Sequence, residues 1–180
     1  MVEREIKLEY PSIEAARAAV GALGLPLRHA RRLQDDALYD TPDRSLRERG
    51  CALRLRLDAG RAIVTFKGTP VPGPMKVRPE FETSTDDAAM TRAIFEGLGY
   101  EVAFRYQKFR EEFGDDTCVV ALDETPVGVF VELEGQEARI TELAAALGVE
   151  PDRYVTASYA RLHAERRDAL GLGPDMLFPA

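Results

Sequence analysis

The sequence is short of several residue types on which whole classes of protein depend. It contains no tryptophan and only two cysteines in 180 residues, which excludes a disulfide framework and any ligand pocket built on indole stacking. No run approaches the roughly 18 apolar residues of a membrane helix. The charged opening Val2-Glu3-Arg4-Glu5 is unlike a secretory signal. We therefore expect a cytoplasmic protein that has no membrane partner.

The rest of the composition indicates an acidic globular protein. Apolar residues make up 45% of the chain and charged residues 31%, which is enough apolar material for a core. A net charge of −7 and a pI near 5.0 argue against stable binding to nucleic acid. We expect one domain over residues 1–170 and a loosely held C-terminal tail over residues 171–180. The oligomeric state is open between a monomer and a homodimer.

Alternation of apolar and polar residues predicts eight β-strands. They span approximately 2–10, 28–40, 53–57, 61–68, 75–84, 101–113, 117–123 and 128–134. Cap and stop residues predict helices near 12–23, 85–98, 137–147 and 157–169. The connections between strands are short, which favours antiparallel pairing and an α+β fold. Such a sheet either closes into a barrel or stays open with helices on one face.

Charged residues of both signs collect on one face of these strands. The acids are Glu3, Glu5, Glu80, Glu82, Glu112, Asp123, Glu132 and Glu134. The bases are Lys7, Arg54, Arg56, Lys67, Lys76, Arg78, Lys108 and Arg110. The opposite faces are apolar, as at Ile6, Leu8 and Leu133, and should pack against the helices. The charged faces then look either to solvent or into the lumen of a barrel.

The composition of the charged face favours a lumen. Several of its acids stand two residues apart, a spacing at which like charges repel unless a cation bridges them. The chain has only four lysines among its 24 basic residues, and all four lie on this face. Carboxylates suit Mg²⁺ or Mn²⁺, and Arg and Lys suit phosphate oxygens. A substrate with several linked phosphates and one or two divalent cations would neutralise both sets.

Eight short motifs follow one another along the chain. They are Glu3-x-Glu5-x-Lys7, Tyr39-Asp40-Thr41, Leu53-Arg54-Leu55-Arg56, Thr65-Phe66-Lys67-Gly68, Arg78-x-Glu80-x-Glu82, Lys108-x-Arg110, Asp123 and Glu132-Leu133-Glu134-Gly135. In this order they resemble the CYTH domain family, also called the triphosphate tunnel metalloenzymes, over residues 2 to about 160. The resemblance implies an eight-stranded antiparallel barrel, closed or nearly closed, with about four helices outside. It also implies a small-molecule triphosphate bound in the tunnel with one or two Mg²⁺ or Mn²⁺ ions.

The resemblance also assigns roles to the charged residues. It implies that the metal is held by Glu3, Glu5, Glu80, Glu82, Asp123, Glu132 and Glu134. It implies that the triphosphate is bound by Lys7, Arg54, Arg56, Lys67, Arg78, Lys108 and Arg110, to which we add Lys76 because it shares their face. The catalytic candidates are Glu5, Lys7, Glu132 and Glu134. Members of the family often carry a base just before a Ser-Tyr pair, whereas the nearest base before Ser158-Tyr159 is Arg153.

Three functions are compatible with these residues. The leading hypothesis is metal-dependent hydrolysis of a triphosphate, most of all inorganic tripolyphosphate, because no motif calls for a nucleobase pocket and the missing tryptophan argues against thiamine stacking. A class IV adenylyl cyclase, which converts ATP to cyclic AMP, would use the same clamp. A non-catalytic polyphosphate- or nucleotide-binding module is the third. The sequence shows no Ser-His or Cys-His unit, so a covalent route is not expected.

Overall fold

The strands of the computed structural model, which describes residues 2–179, close into an antiparallel barrel. They are β1 (Val2–Tyr10), β2 (Leu27–Asp40), β3 (Ala52–Asp58), β4 (Arg61–Lys67), β5 (Lys76–Thr85), β6 (Glu101–Gly114), β7 (Cys118–Thr125) and β8 (Gly128–Gly135). Their order around the barrel is β1-β5-β4-β3-β2-β6-β7-β8. This confirms the closed eight-stranded barrel and the α+β class. In this ring β1 lies between the last strand and β5, directly across the lumen from β2.

Helices surround the barrel on its outer side. They are α1 (Ile13–Ala22), α2 (Ser45–Glu48), α3 (Ala88–Gly97), α4 (Glu137–Ala146) and α5 (Tyr159–Leu170), with a 3₁₀ turn at Pro151–Arg153. The four predicted helices are α1, α3, α4 and α5. The extra turn α2 begins where the Asp40 carboxylate accepts the backbone N–H groups of Leu46 and Arg47 at 2.9 and 3.0 Å. None of the helices among residues 2–179 is long and apolar enough to cross a membrane.

The main hydrophobic core lies between one side of the barrel and the helices α1 and α4. Ile6 and Leu8 of β1 and Leu133 of β8 are fully buried there against Val20 of α1 and Ile140 of α4. Burying an aliphatic side chain of this size stabilises the fold by about 1.5–3 kcal/mol. The outward apolar faces of β1, β7 and β8 therefore hold the helices, as the alternation predicted.

The opposite side of the barrel is only partly covered, which corrects the expectation that every apolar strand face packs against a helix. Leu57 of β3 and Phe81 of β5 point outward but remain 45% and 62% exposed. The helix on this side, α3, buries none of its residues fully. It contacts the barrel chiefly through Phe95, whose ring meets that of Tyr39 edge-on at 5.0 Å. One short helix cannot span the width of several strands.

The chain after α4 contacts the barrel at two points, and one of them, Met176, lies within the segment expected to be loosely held. Val155 pairs with Lys7 through N–H···O bonds of 2.9 and 3.0 Å. Met176 is fully buried and pairs with β6, donating to Arg105 O at 3.0 Å and accepting from Gln107 N at 2.8 Å. Both β1 and β6 extend beyond their neighbouring strands at these points, and the C-terminal segment satisfies backbone groups that would otherwise be unpaired.

The same segment contributes apolar side chains to a cluster that includes inward-facing residues of the barrel. Tyr106 of β6 and Phe130 of β8 share the faces of Lys108 and Glu132, and so turn inward. They pack with Tyr159 of α5 and the buried Met176 in one hydrophobic cluster. The charged residues of the lumen therefore lie next to a cluster of aromatic side chains, to which the C-terminal segment contributes.

Candidate active site

The charged strand faces turn into the lumen, as predicted. The buried members of the predicted set are Glu3, Glu5, Lys7, Arg54, Arg56, Arg78, Lys108, Arg110, Asp123 and Glu132. Lys67, Lys76, Glu80 and Glu134 are half-buried. Glu82 is the most open predicted site residue, with 47% of its side chain exposed. Glu112, also on the charged face, instead accepts from Arg32 at 2.9 Å.

Three carboxylates of the predicted set come together on β1 and β8. Glu3, Glu5 and Glu134 each offer an oxygen within 4.8 Å of the others. Glu5 and Glu134 are direct partners in the β1–β8 ladder. Among residues 2–179 this is the one group of three or more potential ligands at a spacing that suits a single ion. Hard oxygen donors of this kind fit Mg²⁺ or Mn²⁺.

The three carboxylates differ in how readily they ionise. Burial, together with the charges of Glu5 and Glu3, raises the pKa of Glu134 to about 7 against the opposing effect of Lys67. Burial and the Glu5 charge also raise the pKa of Glu3. Burial alone would raise the pKa of Glu5, but Lys7 and Lys76 hold it well below its ordinary value. The group is thus a crowded set of like charges, in which Glu134 takes the proton most easily.

Four bases surround this group. Lys67 Nζ lies 2.6 Å from Glu3 Oε1, and Arg78 Nε donates to Glu3 Oε2 at 2.7 Å. Lys7 contacts the carboxylate of Glu5, and Lys76 Nζ lies 3.5 Å from the same carboxylate. The carboxylates and the bases predicted to bind phosphate therefore occupy one region of the lumen.

The remaining predicted metal ligands lie outside the three-carboxylate group. Glu132 contacts Arg110 and lies 3.4 Å from Lys7. Glu80 lies 3.2 Å from Lys67, and Glu82 accepts from Thr65 at 2.9 Å. These three acids sit among the predicted phosphate-binding bases, and their assignment as metal ligands stays a prediction.

Asp123 is the centre of a second cluster. Its carboxylate is fully buried and accepts from Lys108 Nζ at 2.8 Å and from Arg110 Nε at 2.7 Å. The hydroxyl of Tyr159 donates to it at 2.8 Å. With three side chains donating four hydrogen bonds to it, Asp123 orients two of the predicted phosphate-binding bases. The metal role that the resemblance implied for it stays a prediction.

Asp36 is a member of the lumen that the sequence interpretation missed. It is fully buried on β2 and accepts from Arg56 Nε at 2.8 Å, while Arg54 Nε lies at 3.4 Å. Burial alone would raise the pKa of Asp36, but Arg56 and Arg54 lower it, so the carboxylate stays ionised. The available signal was the spacing of Arg32, Gln34 and Asp36, which puts polar residues on one face of β2.

Tyr159 was also missed, since its hydroxyl contact depends on how α5 meets the barrel. Arg153, the base nearest to the Ser158-Tyr159 pair, is exposed in the turn Pro151–Arg153. The segment between them instead contributes the backbone of Val155 to β1.

A comparison of the chain with protein families agrees with the barrel and its charged lumen. A model of the CYTH domain matches residues 1–149. The chain belongs to the CYTH domain family. CYTH proteins are tunnel enzymes that bind triphosphates and depend on divalent cations. The CYTH match ends before α5, so Tyr159 and Met176 lie beyond it.

Individual proteins are similar to this chain in sequence or in fold. A Methanocaldococcus jannaschii protein provisionally named adenylate cyclase is 28% identical over 173 residues, which cover 90% of this chain and 98% of that protein. A Vibrio parahaemolyticus structure with the same provisional name has a TM-score of 0.79 at 22% identity, covering 91% of this chain and 98% of its own. A Hippeastrum structure, described as an adenylyl cyclase candidate with a dominant triphosphatase activity, has a TM-score of 0.65 at 17% identity, covering 91% and 95%.

Proposed function

We propose that this CYTH protein hydrolyses a triphosphate with the help of Mg²⁺ or Mn²⁺, and that inorganic tripolyphosphate is its main substrate. The observation that carries the proposal is the meeting of Glu3, Glu5 and Glu134 within 4.8 Å of one another, beside Lys67 and Arg78 at 2.6 and 2.7 Å from Glu3. A linked set of phosphates and a divalent cation complement this juxtaposition of acids and bases.

Glu3, Glu5 and Glu134 would hold the cation, since their oxygens are the hard donors that it requires. When bound, the cation would supply positive charge that stabilises a triphosphate. The three carboxylates that would hold it repel one another, and this repulsion raises the pKa of Glu134 alongside burial.

The bases of the lumen would bind and orient the phosphate chain. Lys7, Lys67, Lys76 and Arg78 stand beside the carboxylate group. Lys108 and Arg110 are held by Asp123, and Arg54 and Arg56 by Asp36. Fixed donors of this kind stabilise the charge that accumulates on the non-bridging and leaving oxygens during phosphoryl transfer. Because these donors sit in a buried site, their interaction with charge exceeds that of the same groups in water.

A phosphate-release panel tests the proposal directly. Tripolyphosphate, ATP, GTP and thiamine triphosphate are each incubated with the protein and either Mg²⁺ or Mn²⁺. We expect tripolyphosphate to be hydrolysed fastest and chelation with EDTA to stop the reaction. Faster release from an organic triphosphate would change the substrate, and release that continues in EDTA would remove the metal from the proposal.

Adenylyl cyclase activity is the second candidate, and the name of the 28% identical archaeal relative favours it. In that reaction the same clamp holds ATP while the ribose 3′ oxygen attacks the α-phosphorus. Incubation with ATP and Mg²⁺ or Mn²⁺ separates the two candidates. Cyclic AMP forming faster than ADP or phosphate would favour the cyclase.

A further inference from the structure

The C-terminal segment beyond the family match reaches the phosphate-binding bases through one side chain. Tyr159, the first residue of α5, is buried and donates its hydroxyl hydrogen to Asp123 Oδ2 at 2.8 Å. The centre of its ring lies 5.0 Å from Lys108 Nζ and 5.3 Å from Lys7 Nζ. Both distances are within the range at which an ammonium group is attracted to an aromatic face.

The surroundings of Tyr159 hold its ring in one place. The ring of Phe130 meets it edge-on at 5.7 Å, and the ring of Tyr106 lies at 6.1 Å. Further along the same helix, Arg166 donates to both oxygens of Glu9 on β1, at 2.5 and 2.9 Å. The helix is thus tied to the barrel at two points, and the tyrosine hydroxyl has a defined position relative to Asp123.

Asp123 has a limited capacity to accept hydrogen bonds, and Tyr159 uses part of it. A carboxylate offers about four lone-pair sites, and Lys108 and Arg110 already donate to this one. Three of the donors, Lys108 Nζ, Arg110 Nη2 and the Tyr159 hydroxyl, share the single oxygen Oδ2, which offers about two lone-pair sites. Without the tyrosine hydroxyl, Lys108 and Arg110 would no longer share this oxygen with a third donor, and the carboxylate would hold them more tightly.

We propose that Tyr159 is a positioning residue, which holds Asp123, Lys108 and Lys7 so that the bases present their free N–H groups to the phosphates of the substrate. The hydroxyl limits the hold of Asp123 on Lys108 and Arg110, and the ring keeps two ammonium groups of like charge near each other. This inference rests on the proposed function, because it assumes that the lumen binds a triphosphate.

The experiment compares Tyr159→Phe, which keeps the ring, with Tyr159→Leu, which removes it, in the full chain. Tyr10→Phe is the matched control, because the Tyr10 hydroxyl is buried on β1 without a partner among residues 2–179. The Kd of tripolyphosphate is measured by calorimetry in EDTA, and kcat and KM are measured with Mg²⁺. Thermal unfolding of each variant reports whether the fold is retained.

We expect Tyr159→Phe to raise both Kd and KM by about fivefold and to change kcat by less than about twofold, as for a weakened charge-assisted contact. Tyr159→Leu should raise them further, and Tyr10→Phe should leave them unchanged. In an Asp123→Asn background, Tyr159→Phe should add little, because the two residues act through one hydrogen bond.

Several outcomes would overturn this role. An unchanged Kd in Tyr159→Phe would contradict the positioning role. Fully additive effects of Tyr159→Phe and Asp123→Asn would contradict it as well. A fall in kcat that matches a fall in melting temperature, with Kd unchanged, would make Tyr159 a structural residue only.

The same measurements separate this role from the proposed function. If the wild-type protein binds tripolyphosphate as expected but does not hydrolyse it, the proposed function fails and the positioning role stands. If the wild-type protein hydrolyses tripolyphosphate and Tyr159→Phe binds it normally, the proposed function stands and the positioning role fails. If the wild-type protein neither binds tripolyphosphate in EDTA nor hydrolyses it with Mg²⁺, both proposals are overturned.

Discussion

Glu5 and Glu134 lie directly opposite each other on the adjacent strands β1 and β8, and their carboxylates approach within 4.8 Å. Like charges placed opposite each other destabilise a pair of antiparallel strands. Burial strengthens this effect, because water no longer screens the charges. The barrel retains the pair in a lumen that is otherwise rich in matched acids and bases. A divalent cation accounts for this arrangement better than a purely structural role does.

The first prediction concerns Glu134→Gln. We expect hydrolysis of tripolyphosphate to fall by a factor of about 100 or more, as for loss of a group that organises charge at the reacting phosphate. The metal-free variant should melt at a higher temperature than the wild-type protein at pH 8, because the substitution removes one of three crowded charges. Steady-state kinetics and thermal unfolding check the two parts.

Glu5→Gln is the matched comparison. It should also abolish turnover, but it should not raise the melting temperature. Lys7 and Lys76 stabilise the ionised form of Glu5, and their effect outweighs that of burial, so the pKa of Glu5 is low. Full turnover by both variants in the presence of metal would show that these carboxylates are wrongly assigned.

The second prediction concerns the pH dependence of metal binding. In the metal-free protein, burial and neighbouring acids raise the pKa of Glu134 to about 7, so below that pH a proton competes with the cation for this carboxylate. The affinity for the cation should therefore rise with pH through about 7 and level off above it. Titration with Mn²⁺, followed by electron paramagnetic resonance, should show binding about tenfold weaker at pH 6 than at pH 8. Glu134→Gln should remove most of this dependence, and a pH-independent wild-type protein would contradict it.

The third prediction concerns Lys67→Ala. Lys67 Nζ lies 2.6 Å from Glu3 and 3.2 Å from Glu80, at the border between the carboxylate group and the bases. We expect the KM for tripolyphosphate to rise by about tenfold, the usual scale for one charge-assisted contact, with a smaller change in kcat. Arg92→Ala is the control, since this exposed base lies on α3 outside the barrel. Equal effects of the two substitutions would point to general electrostatic attraction instead of a lumen contact.

The fourth prediction concerns Asp36→Asn. Arg56 Nε donates to this buried carboxylate at 2.8 Å, and Arg54 lies at 3.4 Å. Removing one partner of a buried ion pair typically destabilises a protein by about 3–5 kcal/mol, because the remaining charge is left without a partner. Denaturant unfolding of the metal-free protein measures the loss.

The neighbouring Asp35→Asn serves as the control for that measurement. Asp35 pairs with Arg105 at 3.1 Å on the outer surface, where an ion pair contributes about 0–1 kcal/mol. If Asp36→Asn were no more destabilising than Asp35→Asn, the Asp36–Arg54–Arg56 contact would not be a structural element of the lumen.

Much of the barrel could be predicted because strand alternation is a local property. The eight predicted strands and four predicted helices occur in the structure, and the charged faces turn inward. Prediction failed where contacts are made between distant parts of the chain. Asp36 gains its role from Arg54 and Arg56 on the neighbouring strand β3. Leu57 and Phe81 remain exposed although they lie on apolar strand faces. Met176 pairs with the part of β6 that extends beyond β7, a contact between distant parts of the chain.

The sequence by itself determined which side chains share a strand face, since successive residues of an extended chain must point in opposite directions. It therefore determined that acids and bases of this chain share one face of the strands. Only the tertiary structure decided which of them meet. The order β1-β5-β4-β3-β2-β6-β7-β8 joins the first strand to the last, which brings Glu3 and Glu5 to Glu134, and the docking of α5 brings Tyr159 to Asp123. Contacts of this kind depend on barrel closure and helix docking, which no local pattern of residues encodes.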